Sequence, residues 1–338
     1  MSRPLRLHKV ALGTWVPLAV LALIVASAGA AGVGPVISKI DDVIRAVRQL
    51  GKSYGDDAVR AAEKVLKELP DEAGEAAAKM YKRYGDDFIK SVVSNPALHK
   101  RLLSECPELM GAFLKLETVH DPSIVMQMIG KLRAMRNGES ISAKVLPTLA
   151  DADKNQFIQL SRGLSGKTID SRVLDDAFAS ARTCLDPDEL GTLTEKVTES
   201  LINAGRPLNR GRTTLPLKKG TKLVEGKVGG NHGIDFVGVG SNGKPQIVEV
   251  TAGKSVAETS DGYQMSAEWV AANWKRFIEK ADPEELGKMG FDRKYLDPRR
   301  ITPDFVRKEF DLYAVFPESA GLSGRVHTAI PPNNWISL

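Results

Sequence analysis

Two acidic residues, Asp235 and Glu249, stand in the most strand-like stretch of the chain, at a spacing that suits metal-dependent chemistry. Asn242-Gly243 lies between them and marks the turn of a β-hairpin. A two-residue loop would pair Asp235 with Val250, whereas a three-residue loop, Ser241-Asn242-Gly243 with a left-handed glycine, would pair Asp235 with Glu249. The sequence suits the longer loop, so it predicts two carboxylates opposite each other on adjacent strands.

Such a pair of carboxylates indicates a cation site. Like charges on facing positions of two strands repel each other and cost stability unless a cation lies between them. Two carboxylates, a carbonyl oxygen and waters are ligands that a divalent cation accepts. Asp235 and Glu249 are therefore candidate ligands of a divalent cation, most simply Mg²⁺. The alternative is a pair of solvated carboxylates on an exposed face of the sheet.

The order of motifs around these carboxylates resembles the PD-(D/E)xK nuclease superfamily. More narrowly, it is similar to the restriction-endonuclease-fold domains at the C-termini of bacterial polymorphic and contact-dependent toxins. The motifs that carry the resemblance are Gly233-Ile-Asp235, Ile247-Val-Glu249, and Gln264-Met-Ser followed by Trp269. The resemblance covers roughly residues 188–316. It implies that Asp235 and Glu249 are catalytic metal ligands and that Gln264 contacts metal or phosphate. An exposed residue at the start of a helix is the simpler interpretation of Gln264.

The charged residues that complete a nuclease site are less well matched. The family's lysine, two residues after the glutamate, would fall at Thr251, which cannot carry a positive charge. Lys254 follows three residues later, and we expect it to reach back and stabilise charge on the phosphate. Glu195 or Glu199 is a candidate third carboxylate, and His232 is a candidate base. For each of these three, a side chain without a role in catalysis is the alternative.

The resemblance implies an exported, metal-dependent nuclease-like protein that hydrolyses phosphodiester bonds of DNA or RNA, in the context of a toxin or effector. A producer of such a toxin is expected to carry a neutralising immunity protein. The rival hypothesis is a membrane-anchored helical scaffold whose C-terminal domain binds nucleic acid or protein without cutting it. Thr251 is the residue that most favours this rival.

The surrounding pattern predicts an α + α/β fold. Apolar residues recur three and four apart through residues 37–204, which predicts a helical region. Residues 205–338 are expected to form a small α/β domain with a mixed sheet of restriction-endonuclease-like type. Its predicted strands are roughly Lys222–Val228, Ile234–Val239, Gln246–Thr251 and Phe310–Phe316. A helix is predicted between the last two strands, at about Tyr263–Ala281, and another upstream of the domain, at Asp188–Ala204.

Residues 206–227 form a basic segment rich in proline and glycine at the predicted boundary. Such a segment would suit contact with a phosphate backbone. A basic linker without a partner is the alternative, and the sequence does not separate the two. Trp269 and Trp274, on the helix after the hairpin, are expected to pack in the core.

Residues 1–31 predict an export signal or a membrane anchor. Arg3, Arg6 and Lys9 precede an uncharged stretch from residue 10 to residue 38. Ala28-Gly29-Ala30 supplies a small-residue cleavage pattern, but about 20 apolar residues also suffice to cross a bilayer. The protein is therefore expected to be secreted or periplasmic, or to be held in the membrane through residues 10–31.

The number of cysteines and the spacing of glycines exclude two further classes of site. The two cysteines, Cys106 and Cys184, are too few for a cysteine-based zinc site, although they could pair in an oxidising compartment. Gly166-Lys167 and Gly253-Lys254 end like a phosphate-binding loop, but Ser161 and Val248 replace the required preceding glycine. A P-loop nucleotide hydrolase is thus excluded.

Overall fold

The computed structural model of the chain describes residues 33–50, 53–206, 215, 217–227, 233–250, 258–316, 325–330 and 334–337. The chain divides into two compact units, one ending at Met110 and the other beginning at Gly111. The predicted signal or anchor at residues 1–31 lies outside the described residues. Among the helices that are described, none has both the length and the apolar character needed to cross a membrane.

The first unit is helical, as predicted. Its helices are α1 (Val33–Leu50), α2 (Asp56–Lys67), α3 (Asp71–Tyr84), α4 (Asp86–Ser94) and α5 (Pro96–Glu105), followed by a 3₁₀ turn at Pro107–Leu109. Fully buried His99 joins α4 to α5 through Ser91 Oγ, 2.6 Å away, and the Asn95 carbonyl, 3.0 Å away. Burial lowers the pKa of His99 to about 4, so the imidazole is neutral and serves packing.

The second unit begins with a helical layer. Its helices are α6 (Met110–Glu117), α7 (Pro122–Arg133), α8 (Gly138–Ala150), α9 (Lys154–Gly163), α10 (Ser171–Arg182) and α11 (Pro187–Asn203). A capping box starts α11, because Asp186 accepts from the Glu189 amide at 2.9 Å and Glu189 accepts from the Asp186 amide at 3.1 Å. Glu189 also binds Lys144 of α8 at 2.7 Å, so α11 is fixed against the rest of the layer.

A mixed six-stranded sheet follows the helical layer. The strands are β1 (Val224–Lys227), β2 (Gly233–Val239), β3 (Pro245–Val250), β6 (Asp311–Phe316), β7 (Arg325–Ile330) and β8 (Asn334–Ser337), in that spatial order. β3 and β6 are parallel, and the other neighbours are antiparallel. The predicted combination of a helical region with a small mixed sheet is confirmed. The sequence did not predict β7, β8 or the small hairpin of β4 (Glu258–Thr259) and β5 (Gly262–Tyr263).

The crossover from β3 to β6 contains the helices that cover the core. These helices are α12 (Ala267–Lys280), α13 (Pro283–Lys288) and α14 (Pro303–Glu309), with a 3₁₀ turn at Arg293–Tyr295 before α14. Trp274 of α12 is fully buried and meets Phe291 and Phe310 edge-on, with ring centroids 5.3 and 5.2 Å away. Its indole N–H donates to the Tyr295 carbonyl at 2.8 Å. Trp269 is 2% exposed, so the predicted packing of both tryptophans is confirmed.

The division between the units does not coincide with the boundary predicted after residue 204. Helix α11 belongs to the same unit as the sheet, and the side chain of its last residue, Asn203, accepts from the Leu223 amide at 2.6 Å. The change of composition near residue 205 therefore marks a change from helix to strand within one unit. Cys106 and Cys184 are both free thiols in the structure.

The turn of the β2–β3 hairpin is the predicted three-residue loop. The strands pair Phe236 with Val248 and Val239 with Pro245. The Gly240 amide donates to the Lys244 carbonyl at 2.8 Å, so Ser241-Asn242-Gly243 lies outside the ladder. Gly243 has φ 79°, the left-handed conformation that this loop requires. This loop therefore sets the register of the two strands.

Substitution of Gly243 tests the role of this loop in stability. Gly243→Ala places a side chain at φ 79°, where no atom lies within 4 Å, so the cost is backbone strain of about 1 kcal/mol. Gly243→Asn should cost less, because asparagine adopts the left-handed region more readily. Urea unfolding followed by circular dichroism measures both changes. Equal stability of the Ala and Asn variants would contradict a strained position.

Candidate active site

Asp235 and Glu249 lie side by side at the end of the hairpin. One step beyond the Phe236–Val248 pair, the register sets them opposite each other. The Asp235 amide donates to Glu249 Oε2 at 3.2 Å, and the Val250 amide donates to Asp235 Oδ2 at 2.7 Å. Each residue is 4% exposed. The predicted juxtaposition is present, and the alternative of solvated carboxylates on an exposed face is wrong.

A lysine ammonium group joins this pair to a third carboxylate. Lys227 Nζ lies 2.7 Å from Asp235 Oδ1. The same nitrogen lies 2.9 Å from both carboxylate oxygens of Glu195 on α11. The Lys227 side chain is 10% exposed. One buried cation therefore holds β1, β2 and α11 together at the carboxylates.

A β-bulge lies where Lys227 meets Asp235. β1 pairs Glu225 with Phe236 but Lys227 with Gly233, so the single residue Gly226 on β1 faces two residues on β2, Ile234 and Asp235. The extra residue therefore belongs to β2, and it interrupts the alternation of side chains along that strand. Without it, Asp235 would be opposite Gly226, on the face of the sheet away from Lys227. The bulge therefore allows the Asp235 carboxylate to meet the Lys227 ammonium.

Gln264 reaches the site from the segment before α12. Its Nε2 donates to Glu249 Oε1 at 3.1 Å. The helix itself begins at Ala267 with Ser266 as its N-cap, so Gln264 precedes the helix rather than opening it. Met265, next to Gln264, has φ 66° and is 2% exposed. A left-handed methionine is unfavourable, and packing holds it in this conformation with Gln264 against Glu249.

Burial and mutual repulsion control the protonation of the carboxylates. Burial, and then the charge of Asp235, raise the pKa of Glu249 well above its usual value. Burial also raises the pKa of Asp235, but the Lys227 ammonium opposes that rise. For Lys227, burial lowers the pKa, but the charges and hydrogen bonds of Asp235 and Glu195 outweigh it and raise the pKa overall. Glu249 is therefore the carboxylate that holds a proton most readily.

The donor set suits a divalent cation through two carboxylates. Asp235 and Glu249 supply adjacent oxygens, and the pKa of Glu249 is raised by its burial first and then by the negative charge of Asp235. No group of three His, Cys, Asp or Glu side chains within the described ranges is arranged to hold a metal together. Glu195 is instead bound to Lys227. Any metal contact in the described part of the site thus rests on Asp235 and Glu249.

The remaining sequence candidates are placed differently. Thr251, Lys254 and His232 lie outside the described residues, so their predicted roles stay predictions. Glu199 pairs with Lys196 on its own helix at 2.7 Å, whereas Glu195 binds the cluster. Of the two candidates for the third carboxylate, Glu195 is therefore the one in contact with the cluster. Its role in catalysis stays a prediction.

Sequence reasoning assigned no individual role to Lys227. It appeared only as one member of the basic segment 206–227. The signal that could have found it was Gly226, since a glycine inside a strand pattern often marks a bulge or a close approach of another strand. The extra residue lies opposite Gly226, on β2, so counting alternate residues along β2 places Asp235 on the face away from Lys227.

A cleft of about 230 Å³ opens beside the cluster. It lies between α11, the turn after α7 and the strands β1 and β2, and both Lys227 and Glu195 line it. Arg136 contributes a further positive charge to its wall and donates to Thr192 Oγ1 at 3.2 Å. The cleft thus gives solvent, and anionic groups dissolved in it, a route to the Lys227 side of the cluster.

In comparisons with known proteins, no family model matches the chain, and no significant match was found among the curated proteins or the solved structures.

The pH dependence of stability tests the state of Glu249. Its pKa is raised in the folded protein, so the stability it contributes is full below the unfolded value of 4.5 and is lost as pH rises through the folded value. The metal-free wild type should therefore lose stability relative to Glu249→Gln as pH rises above 4.5, by up to about 1.4 kcal/mol per pH unit. Thermal unfolding in EDTA across this range measures the difference.

Glu309→Gln is the control of opposite sign. The hydrogen bond from Lys294 lowers the pKa of Glu309, so its contribution is present above the unfolded value and is lost as pH falls. Relative to this variant, the wild type should gain stability with rising pH. A Glu249→Gln profile parallel to wild type would contradict a protonated, buried Glu249.

Proposed function

We propose that this chain is a metal-dependent nuclease of PD-(D/E)xK type, which hydrolyses phosphodiester bonds of DNA or RNA. The observation that carries the proposal is the buried Asp235–Glu249 pair with the Lys227 ammonium 2.7 Å from Asp235. Buried carboxylates with shifted pKa values and a specific charged partner are common at functional sites. The mixed sheet with flanking helices supports the same proposal.

Asp235 and Glu249 would hold the divalent cation, Mg²⁺ or a related ion. The chemistry that such a cation would supply is polarisation of the phosphate and a lowered pKa of a bound water, which would serve as the nucleophile. Glu249 would have to be ionised to act as a ligand. Gln264, which donates to Glu249 at 3.1 Å, keeps that carboxylate oriented.

Lys227 supplies the positive charge that Thr251 lacks. Its ammonium is the cation in contact with the carboxylates, and it lines the cleft through which a phosphate approaches. A fixed positive charge at that point stabilises the negative charge that builds up on the phosphate during attack. Lys254 remains a second candidate for this role. Glu195 accepts hydrogen bonds from Lys227 at both of its carboxylate oxygens and so positions the lysine. Helix α11, which carries Glu195, is itself anchored by the contact between Glu189 and Lys144.

Nucleic acid is the proposed substrate because a basic segment of the chain leads to the site. Lys218, Lys219 and Lys222 belong to the same segment as Lys227. In the cleft, Lys227, Arg136 and Lys196 are balanced by Glu195, Glu199 and Glu225, so the attraction for a phosphate backbone comes from the segment and not from the cleft. Export through residues 1–31, a role as a toxin or effector, and a neutralising immunity protein are parts of the same proposal, and they rest on the resemblance.

Cleavage by the full-length protein tests this function. Plasmid DNA and total RNA are incubated with the protein in Mg²⁺ or in EDTA, and the products are resolved on gels. We expect cleavage in Mg²⁺ only, and a loss of at least about a hundredfold in rate for Asp235→Asn and for Glu249→Gln, since both remove charge from the metal ligands. Glu284→Gln, on an exposed face of α13, is the control and should cleave like wild type.

Two outcomes contradict the proposal in different ways. Nucleic acid that is bound but never cut, measured by fluorescence anisotropy, would favour the binding scaffold. Cleavage that survives both Asp235→Asn and Glu249→Gln would place catalysis elsewhere in the chain.

A further inference from the structure

The carboxylates of the site already have a cation of their own. Lys227 Nζ lies 2.7 Å from Asp235 Oδ1 and 2.9 Å from each oxygen of Glu195. The side chain is 10% exposed, and Lys227 is paired with Gly233 of β2, beside the bulge that contains Asp235. This is not a surface lysine sampling many rotamers. It is a positioned charge in contact with one of the two proposed metal ligands.

We propose that Lys227 is a resident counter-ion that must release Asp235 before a divalent cation can bind, so that it competes with the metal for the site. The inference rests on the proposed function only for the identity of the metal ligands, Asp235 and Glu249. Asp235 has two oxygens, and Val250 N–H occupies one of them at 2.7 Å. The other is the oxygen that Lys227 binds. Two cations at that oxygen would repel each other strongly in a buried site.

Glu195 gives the released ammonium a place to stay. Because both of its oxygens bind Lys227, the ammonium can leave Asp235 and keep two charge-assisted hydrogen bonds. Lys227 and Glu195 both line the cleft, so the released ammonium remains at the proposed route of the phosphate. The same lysine thus stabilises the metal-free cluster and then meets the substrate once the metal has bound.

The competition has a measurable consequence for metal affinity. Each carboxylate that must give up an ion pair before it binds metal reduces the observed affinity by the cost of breaking that pair. Removing the lysine charge should therefore strengthen metal binding, although it removes a positive group that the proposed reaction uses. A purely structural lysine would have no such effect, because its loss would loosen Asp235 and weaken the metal site.

The test is calorimetric titration of the full-length protein with Mn²⁺, without nucleic acid. Lys227→Met keeps most of the side-chain volume and removes the charge. We expect its dissociation constant for Mn²⁺ to fall at least about tenfold below that of wild type. Lys227→Arg keeps the charge and should stay near wild type. Lys294→Met, which breaks the Lys294–Glu309 ion pair at 2.6 Å elsewhere in the unit, is the matched control and should also stay near wild type.

Two controls make every outcome decisive. Adding Asp235→Asn to Lys227→Met should abolish the tight site, which assigns the binding to this cluster. If Lys227→Met is unfolded without metal, circular dichroism with added Mn²⁺ replaces the titration, and the proposal requires Mn²⁺ to restore the fold. Unchanged or weaker binding by Lys227→Met, or no restoration of the fold, overturns the proposal. Cleavage is not part of the measurement, so a protein that binds metal competitively but cuts nothing would refute only the proposed function.

Discussion

The buried contact between Lys227 and the carboxylates of Asp235 and Glu195 is the interaction on which the rest of the site depends. Burying acidic groups is costly, and removing one partner from a buried ion pair typically costs about 3–5 kcal/mol because the remaining charge is uncompensated. Asp235 and Glu249 lie 4% exposed and adjacent, and the ammonium offsets part of their charge while burial raises the pKa of Glu249 and favours its protonated form. The proposed divalent cation would take over this balance of charge.

Three local structures position the charged groups of the site. The bulge of β2 opposite Gly226 brings Asp235 to the face of Lys227, and a side chain at Gly226 would meet the Ile234 carbonyl at 3.0 Å. The capping box of α11 and the Lys144–Glu189 contact fix the helix that carries Glu195. The left-handed Met265 holds Gln264 against Glu249. Each of these structures either costs conformational free energy or requires particular residues, which is expected where a fold positions functional groups.

The sequence predicted the parts of this arrangement that depend on local rules. Ser241-Asn242-Gly243 indicated the loop, and the loop set Asp235 opposite Glu249, because register follows from turn geometry. The strand runs and the two tryptophans indicated the sheet and the core. Lys227 escaped prediction because a one-residue bulge in β2 breaks the alternation that would otherwise separate it from Asp235. The domain boundary after residue 204 stays a prediction, because composition reports the change from helix to strand there, whereas the packing of α11 with the sheet depends on tertiary contacts.

A crystal structure of the full-length protein soaked in Mn²⁺, with anomalous scattering recorded at the manganese edge, tests the central claim most directly. The account predicts one anomalous peak in contact with carboxylate oxygens of both Asp235 and Glu249. It also predicts that Lys227 Nζ has moved from 2.7 Å to beyond hydrogen-bonding distance of Asp235 and still binds Glu195. An unchanged Lys227–Asp235 contact with no manganese at these carboxylates would contradict the account.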